Sequence, residues 1–345
     1  MTLADRLSGA APPLIVAEMS GNHNGDLGRA LAIVDAAAEA GAHALKIQTY
    51  TADTMTIDVR KPGFVIDDPN SLWAGRSLYE LYEEAHTPWD WHGPIFERCA
   101  QQGMIGFSAP FDPIAVDFLE SLGVELYKIA SFEIVDTPLI ERVAATGKPL
   151  IISTGMSSEE EIDDAVAAAR GAAELVLLKC TSTYPAPPEA SNVSAVRTLA
   201  ERFGVRAGLS DHTHGIGAAV ASVAFGARVI EKHFTLSRAD GGVDSAFSLE
   251  PHELKALVEE TDRAWRAIGD PSLGLRAAEE ASLAFRRSLY IVKDMAAGER
   301  LSAENLRPIR PGFGLKPKHY RELLGRPLRQ AATAGTPMSW DLVDD

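Results

Sequence analysis

The chain is poor in cysteine. It has two in 345 residues, Cys99 and Cys180, too few and too far apart for a disulfide framework or a cysteine-based zinc cluster. The expected compartment is therefore a reducing cytoplasm. Long apolar runs are missing as well: no stretch reaches the ~20 residues that span a bilayer. The opening MTLADRLSGAAPP has no basic region followed by an apolar core, so it does not read as a signal peptide. Positive charge is in deficit, with 33 Lys and Arg against 48 Asp and Glu and a formal net charge of -15. That argues against a nucleic-acid partner but leaves room for a few local lysines to hold an anionic substrate. What remains is ordinary globular composition, 46% hydrophobic and 23% charged, enough for one large domain and a small one.

Short β-branched runs alternate with Ala/Leu/Glu-rich amphipathic segments. Eight strands are expected, at 13–19, 44–50, 104–111, 126–131, 149–155, 175–182, 206–212 and 229–235. Helical segments such as DLGRALAIVDAAAEAGA separate them, and SSEEEIDDAVAAAR places Ser157 and Glu160 at capping-box spacing. Strands buried on both faces and alternating with helices form parallel sheets, and eight such units in ~250 residues fit a (β/α)8 TIM barrel. A doubly wound open sheet is the competing fold, but the first turn here reads MSGNHNGD, not a dinucleotide-binding pattern. The long aromatic-rich gap at 51–103 is either a lid or specificity loop on the active face or a helical excursion packed on the barrel side. The expected division is a barrel over 1–272, a linker over 273–284 and a small Gly- and Pro-rich domain over 285–345.

Active sites of such barrels lie at the C-terminal strand ends, and here those ends are polar. They carry Glu18, with Asn22 and His23 after it; Lys46 and Gln48; Ser108; Lys128, Ser131 and Glu133; Ser153 and Thr154; Lys179, Thr181, Ser182 and Tyr184; Ser210, Asp211 and His212; and Glu231, Lys232 and His233. Singly, each has a structural reading, such as a lysine paired with a glutamate on the next strand. Together they read as a ligand site, because burying so many charges without partner or ligand is costly. His212 and His233 end adjacent strands and can reach a common metal, with Glu18 near enough to complete the shell; that set suits a hard divalent ion such as Mn²⁺ or Mg²⁺. Lys46 and Lys128 with Ser131, Ser153 and Ser210 suit a phosphate or carboxylate. Two chemistries stay open on the residues alone. One is metal-assisted carbon–carbon bond formation with an anionic substrate. The other is a Schiff-base aldolase using Lys128, Lys46 or Lys232.

The segments IVAEMSGNHNG, KIQTYTADTM, YKIASFE, IISTGMSS, LLKCTSTYP, GLSDHT and VIEKHFT resemble the N-acylneuraminate (sialic acid) synthase family. The tail SLYIVKDMAAGERLSAENLRPIRPGFGL is similar to that family's antifreeze-like (SAF) domain. Within the family, SLYELYEEAHTPWDWHGPIF and TSTYP are most similar to the pseudaminic acid synthases. The resemblance implies condensation of phosphoenolpyruvate with an open-chain amino sugar, here 2,4-diacetamido-2,4,6-trideoxy-altropyranose, plus water, to give pseudaminic acid and phosphate. N-acetylneuraminate or legionaminate synthesis is the alternative within the family, and a non-catalytic sugar- or ice-binding protein is the alternative outside it. The resemblance implies a metal on His212 and His233, Mn²⁺ before Mg²⁺ or Co²⁺, and Glu18 as the catalytic acid or base. It implies phosphoenolpyruvate contacts from Lys46, Ser108, Lys128, Ser131, Ser153, Ser182 and Ser210. Ala109 stands where relatives tend to have Thr, which leaves Ser108 as the candidate at that strand. Sugar contacts are implied for Gln48, Glu133, Tyr184, Asp244 and Arg310, the last reaching the partner subunit's site in a swapped homodimer. Asp211 is expected to orient an imidazole or a water, Lys232 to be structural, and His214 and Lys179 to have no carried-over role.

Overall fold

The computed structural model describes residues 3–69 and 71–343. Eight parallel strands close into a barrel: β1 Leu14–Glu18, β2 Ala44–Thr49, β3 Ile105–Pro110, β4 Tyr127–Ile129, β5 Leu150–Ser153, β6 Leu175–Cys180, β7 Arg206–Asp211 and β8 Val229–His233. They are hydrogen-bonded in sequence order, with β8 returning to β1. Each expected strand is present, trimmed at its ends where side chains turn toward the loops. The helix Leu27–Glu39 starts at Asp26, whose carboxylate accepts the Arg29 N–H, the usual remedy for orphan donors at a helix start.

The capping box before the helix Glu159–Ala168 lies one residue later than the spacing of Ser157 and Glu160 suggested. Ser158 is the cap, exchanging hydrogen bonds with Glu161. The Ser157 hydroxyl is instead enclosed without a partner among the described residues. Two serines followed by three glutamates satisfy the motif in two registers, and only the backbone selects one.

Period-two alternation divides the strand residues into two sets. Ile15, Ala17, Leu45, Ile47, Tyr127, Ile129 and Ile230 face the helices in the larger apolar layer. Leu14, Val16, Ala44, Phe107, Leu126, Ile151, Val176, Leu178 and Val229 fill the barrel lumen with Leu7 of the N-terminal helix. Gly208 makes that filling possible: a Cβ there would lie 2.1 Å from the Val229 carbonyl oxygen and 2.8 Å from Leu178.

The 51–103 gap divides into two parts. The helix Trp89–Gln101 belongs to the outer helical layer through Ile95 and Cys99. Before it, a small ribbon pairs Phe64 to Ile66 with Arg76 to Leu78, and residues of this segment line a cavity at the barrel's C-terminal end.

The chain divides into two compact units, residues 1–269 and 270–345. In the smaller unit, Ala277–Phe285 is a 3₁₀ helix, and the antiparallel pair β9 Ser288–Ile291 and β10 Leu306–Ile309 packs with Met295, Leu301, Leu323, Leu328 and Met338. No helix among the described residues is long and apolar enough to cross a membrane.

Candidate active site

Strand register gathers the charged residues at the top of the lumen. Glu18 lies beside Lys46 on one side and His233 on the other, and Ser210 lies beside Glu231. Two lysines and two glutamates form one buried network. Lys46 Nζ is 2.7 Å from Glu18 Oε2 and 3.8 Å from Glu231 Oε1, while Lys128 Nζ is 3.1 Å from Glu231 Oε1. Ser210 donates to the same Glu231 oxygen at 3.3 Å, and Gln48 donates to Glu18 Oε1 at 3.1 Å. The opposed charges make such burial tolerable.

The two carboxylates differ in proton affinity. Burial raises the Glu18 pKa to about 7, opposed by Lys46 and reinforced by Glu231. Glu231 is equally buried, yet Lys128 and Lys46 outweigh that burial and hold it below the ordinary carboxylate value. One carboxyl is thus poised to exchange a proton near neutrality while its neighbour stays ionised, a division typical of acid–base sites.

Ser131, Ser153 and Ser182 collect beside this network. Gly155 donates its N–H to Ser131 Oγ at 3.2 Å. A Cβ on Gly155 would lie 2.3 Å from Ser182 Oγ and 2.6 Å from Ser131 Cβ, so only glycine permits this cradle. Ser153 Oγ is buried with no hydrogen-bond partner among the described residues. Hydroxyls, a backbone N–H and two ammonium groups together suit an anion.

His212 and His233 approach with ring centroids 5.4 Å apart. His212 Nδ1 lies 2.9 Å from the Thr181 carbonyl. The carbonyl can only accept, so Nδ1 carries a proton; burial lowers the His212 pKa, but Cys180 and that carbonyl outweigh it and raise it. Burial, with His212 and the lysines nearby, pushes the His233 pKa well below the ordinary histidine value. Its Nδ1 is buried without a hydrogen-bond partner among the described residues and 3.7 Å from Asp244 Oδ2. Two imidazoles beside a carboxylate fit a divalent cation, which would take the place of a proton on His212. A second cluster, Glu250, His252 and Glu253, has its ligand atoms within 4.8 Å of one another. There, Glu253 already pairs with Arg238 and Glu250 N–H, and Glu250 accepts the Arg238 N–H.

Above the network lies a cavity of about 370 Å³, with Gln48, Ser131, Glu133, Tyr184, His233 and Asp244 among its lining. Burial raises the Glu133 carboxyl to about 7, and its Oε2 has no hydrogen-bond partner among the described residues.

Residues 33–272 match the NeuB family, and residues 286–344 match the SAF domain. The chain belongs to the NeuB family. It is 46% identical over 314 residues to the pseudaminic acid synthase of Campylobacter jejuni subsp. jejuni serotype O:2, covering 90% of this chain and 91% of that one. It is 41% identical over 337 residues to the pseudaminic acid synthase of Helicobacter pylori, covering 96% and 98%. Identity to the N,N'-diacetyllegionaminic acid synthase of Legionella pneumophila is 36% over 344 residues, covering 96% and 94%. Among solved structures, the N-acetylneuraminic acid (sialic acid) synthetase of Leptospira borgpetersenii serovar Hardjo-bovis, in complex with citrate, gives a TM-score of 0.69 at 34% identity, over 79% of this chain and 90% of that one.

In this NeuB chain two expected site positions face away from the lumen. Phe107 lies beside Lys46 and fills the interior, so Ser108 points outward. Its hydroxyl lies 2.6 Å from Thr49 Oγ1 and donates to the Ile47 carbonyl at 3.0 Å, and Thr49 in turn contacts His92. Asp211 also lies outside, where it pairs with Lys232 at 2.9 Å and accepts the Thr213 N–H; it orients no site imidazole. Lys232 donates besides to the Thr213 and Gly215 carbonyls, the structural role expected of it. Arg310 is exposed in the smaller unit, and His214 is exposed in its loop.

Sequence reasoning gave Glu231 no role, though it stands two residues before His233 and so shares its face. It also missed Phe247, whose ring packs edge-on against His233 at 4.8 Å and beside Tyr184 at 5.3 Å. An isolated phenylalanine in a loop carries no such signal.

Proposed function

We propose that this NeuB-family chain is a pseudaminic acid synthase, condensing phosphoenolpyruvate with 2,4-diacetamido-2,4,6-trideoxy-altropyranose and water to give pseudaminic acid and phosphate. The observation that carries the reading is the identity of 46% and 41% to two pseudaminic acid synthases along 90% or more of the chain. The strand-end geometry supports the chemistry.

Lys46 and Lys128 hold the two anionic ends of phosphoenolpyruvate, with Ser131, Ser153, Ser182, Ser210 and the Gly155 loop fixing their orientation. His212 and His233 would hold a divalent cation, Mn²⁺ in our reading; when bound it supplies Lewis-acid polarisation of the sugar aldehyde. Gln48, Glu133, Tyr184 and Asp244 orient the open-chain sugar. C3 of phosphoenolpyruvate forms the new bond to the aldehyde carbon, leaving positive charge at C2. Glu18 takes the proton of the water that adds there, and Glu231 stays ionised to balance the lysines. Phosphate departs with the former enol oxygen and one water proton, the other proton passes through Glu18 to the former aldehyde oxygen, and the water oxygen is left as the C2 carbonyl, which becomes the C2 hydroxyl when a sugar hydroxyl closes the ring. Arg310 is proposed to serve the sugar site of the partner in a cytoplasmic homodimer.

The test is a substrate panel read by released phosphate. The diacetamido altro sugar should turn over with phosphoenolpyruvate. Turnover of N-acetylmannosamine alone, or of the legionaminate precursor alone, would move the assignment to that branch. A lysine adduct trapped by borohydride would replace the mechanism with a Schiff-base one.

A further inference from the structure

The cavity over the barrel mouth has two unlike linings. One comes from the strand ends and the loops after them and carries the polar groups Gln48, Glu133, Tyr184, His233 and Asp244, together with the apolar Phe111, Phe132 and Val243. The other is apolar and comes from one stretch of chain between β2 and β3, with Met55, Ile66, Trp73, Leu78 and Tyr82. None of these five is part of a buried core; all are half-buried.

This apolar lining is built to keep its shape. Ile66 is fixed by two backbone hydrogen bonds, its N–H to the Arg76 carbonyl at 2.9 Å and its carbonyl to the Gly75 N–H at 2.7 Å. Trp73 donates its indole N–H to the Val243 carbonyl at 3.0 Å, one residue before Asp244. Its ring lies 5.9 Å from that of Tyr184. The stretch is therefore tied to residues on the polar side.

His233, Met55 and Ile66 line the same cavity, so an open-chain sugar with its aldehyde at His233 has this cavity, with Met55 and Ile66, for its far end, C6. A hydroxyl there loses water and receives no hydrogen bond from Met55 or Ile66. A methyl group loses nothing. We propose that Ile66 and Met55, beside Trp73, determine specificity by selecting a sugar with a methyl group in place of the C6 hydroxymethyl. This rests on the synthase reading above and adds the structural element that enforces the 6-deoxy requirement.

The test measures kcat/KM of the full-length enzyme, by phosphate release, for the diacetamido trideoxy sugar and for its counterpart with the 6-hydroxyl restored. An apolar pocket discriminates by roughly tenfold to a hundredfold, so the native enzyme should favour the 6-deoxy sugar by that ratio. Ile66→Asn and Met55→Ser supply a hydrogen-bonding partner, and each should cut the ratio by about tenfold with an unchanged KM for phosphoenolpyruvate. Ile66→Val, still apolar, should keep it. A native ratio near one, or an unchanged ratio in whichever polar variant is active, overturns the proposal. Turnover of neither diacetamido sugar, with N-acetylmannosamine active, instead overturns the synthase reading beneath it.

Discussion

Val16 and Glu18 sit two residues apart on β1, face the same lumen and are both fully buried. One belongs to the apolar floor of the barrel, the other to its charged mouth. In the floor, Val16, Phe107, Ile151 and Val176 touch one another, and close packing holds the barrel shut. In the mouth, each charge depends on a partner from another strand: Glu18 on Lys46 of the adjacent β2, and Glu231 on Lys46 and Lys128 across the lumen. Burial alone therefore does not separate structure from function here. What separates them is whether a buried group is satisfied by packing or by groups that a ligand can replace.

Substitutions can break that contrast. The largest effect is expected at the histidines: His212→Ala or His233→Ala should abolish phosphate release and weaken Mn²⁺ binding by calorimetry, with circular dichroism unchanged. Near-normal turnover would remove the metal assignment. Glu18→Gln comes next. It should slow phosphate release by about 10²–10⁴-fold while the Kd for phosphoenolpyruvate stays close to native; a matching loss in binding would make Glu18 a ligand-holding residue instead. Phe107→Ala in the floor should cost about 3–5 kcal/mol in urea unfolding and leave the KM for phosphoenolpyruvate unaltered in the folded fraction. Ser108→Ala should have the smallest effect, about 1 kcal/mol of stability and no change in that KM. A raised KM would return Ser108 to the mouth.

Ser108 also shows where sequence reading stops. The barrel was legible because alternating strands and helices have only a few ways to bury both faces of a sheet. Glu18, Lys46, Lys128, His212 and His233 were legible because charged residues at eight strand ends have few structural explanations. Whether Ser108 points in or out depends on its pairing with β2, where Lys46 lies beside Phe107, and no local signal carries that register. Asp211 was expected to orient an imidazole or a water; its carboxylate instead meets Lys232 and the Thr213 N–H, and its neighbour Ser210 takes the inward position. The apolar lining from Met55, Ile66 and Trp73 was hidden differently. The stretch as a whole reads as a lid or specificity loop, but its lining residues follow no period, so the sequence does not say which of them face the cavity.

The most direct test of the mouth as the reaction centre is a crystal structure of the full chain with phosphoenolpyruvate and Mn²⁺. The account predicts Mn²⁺ on His212 and His233, and the phosphate among Lys128, Ser131, Ser153, Ser182 and Ser210. Mn²⁺ held instead by Glu250, His252 and Glu253, or phosphoenolpyruvate bound away from Lys46 and Lys128, would contradict it.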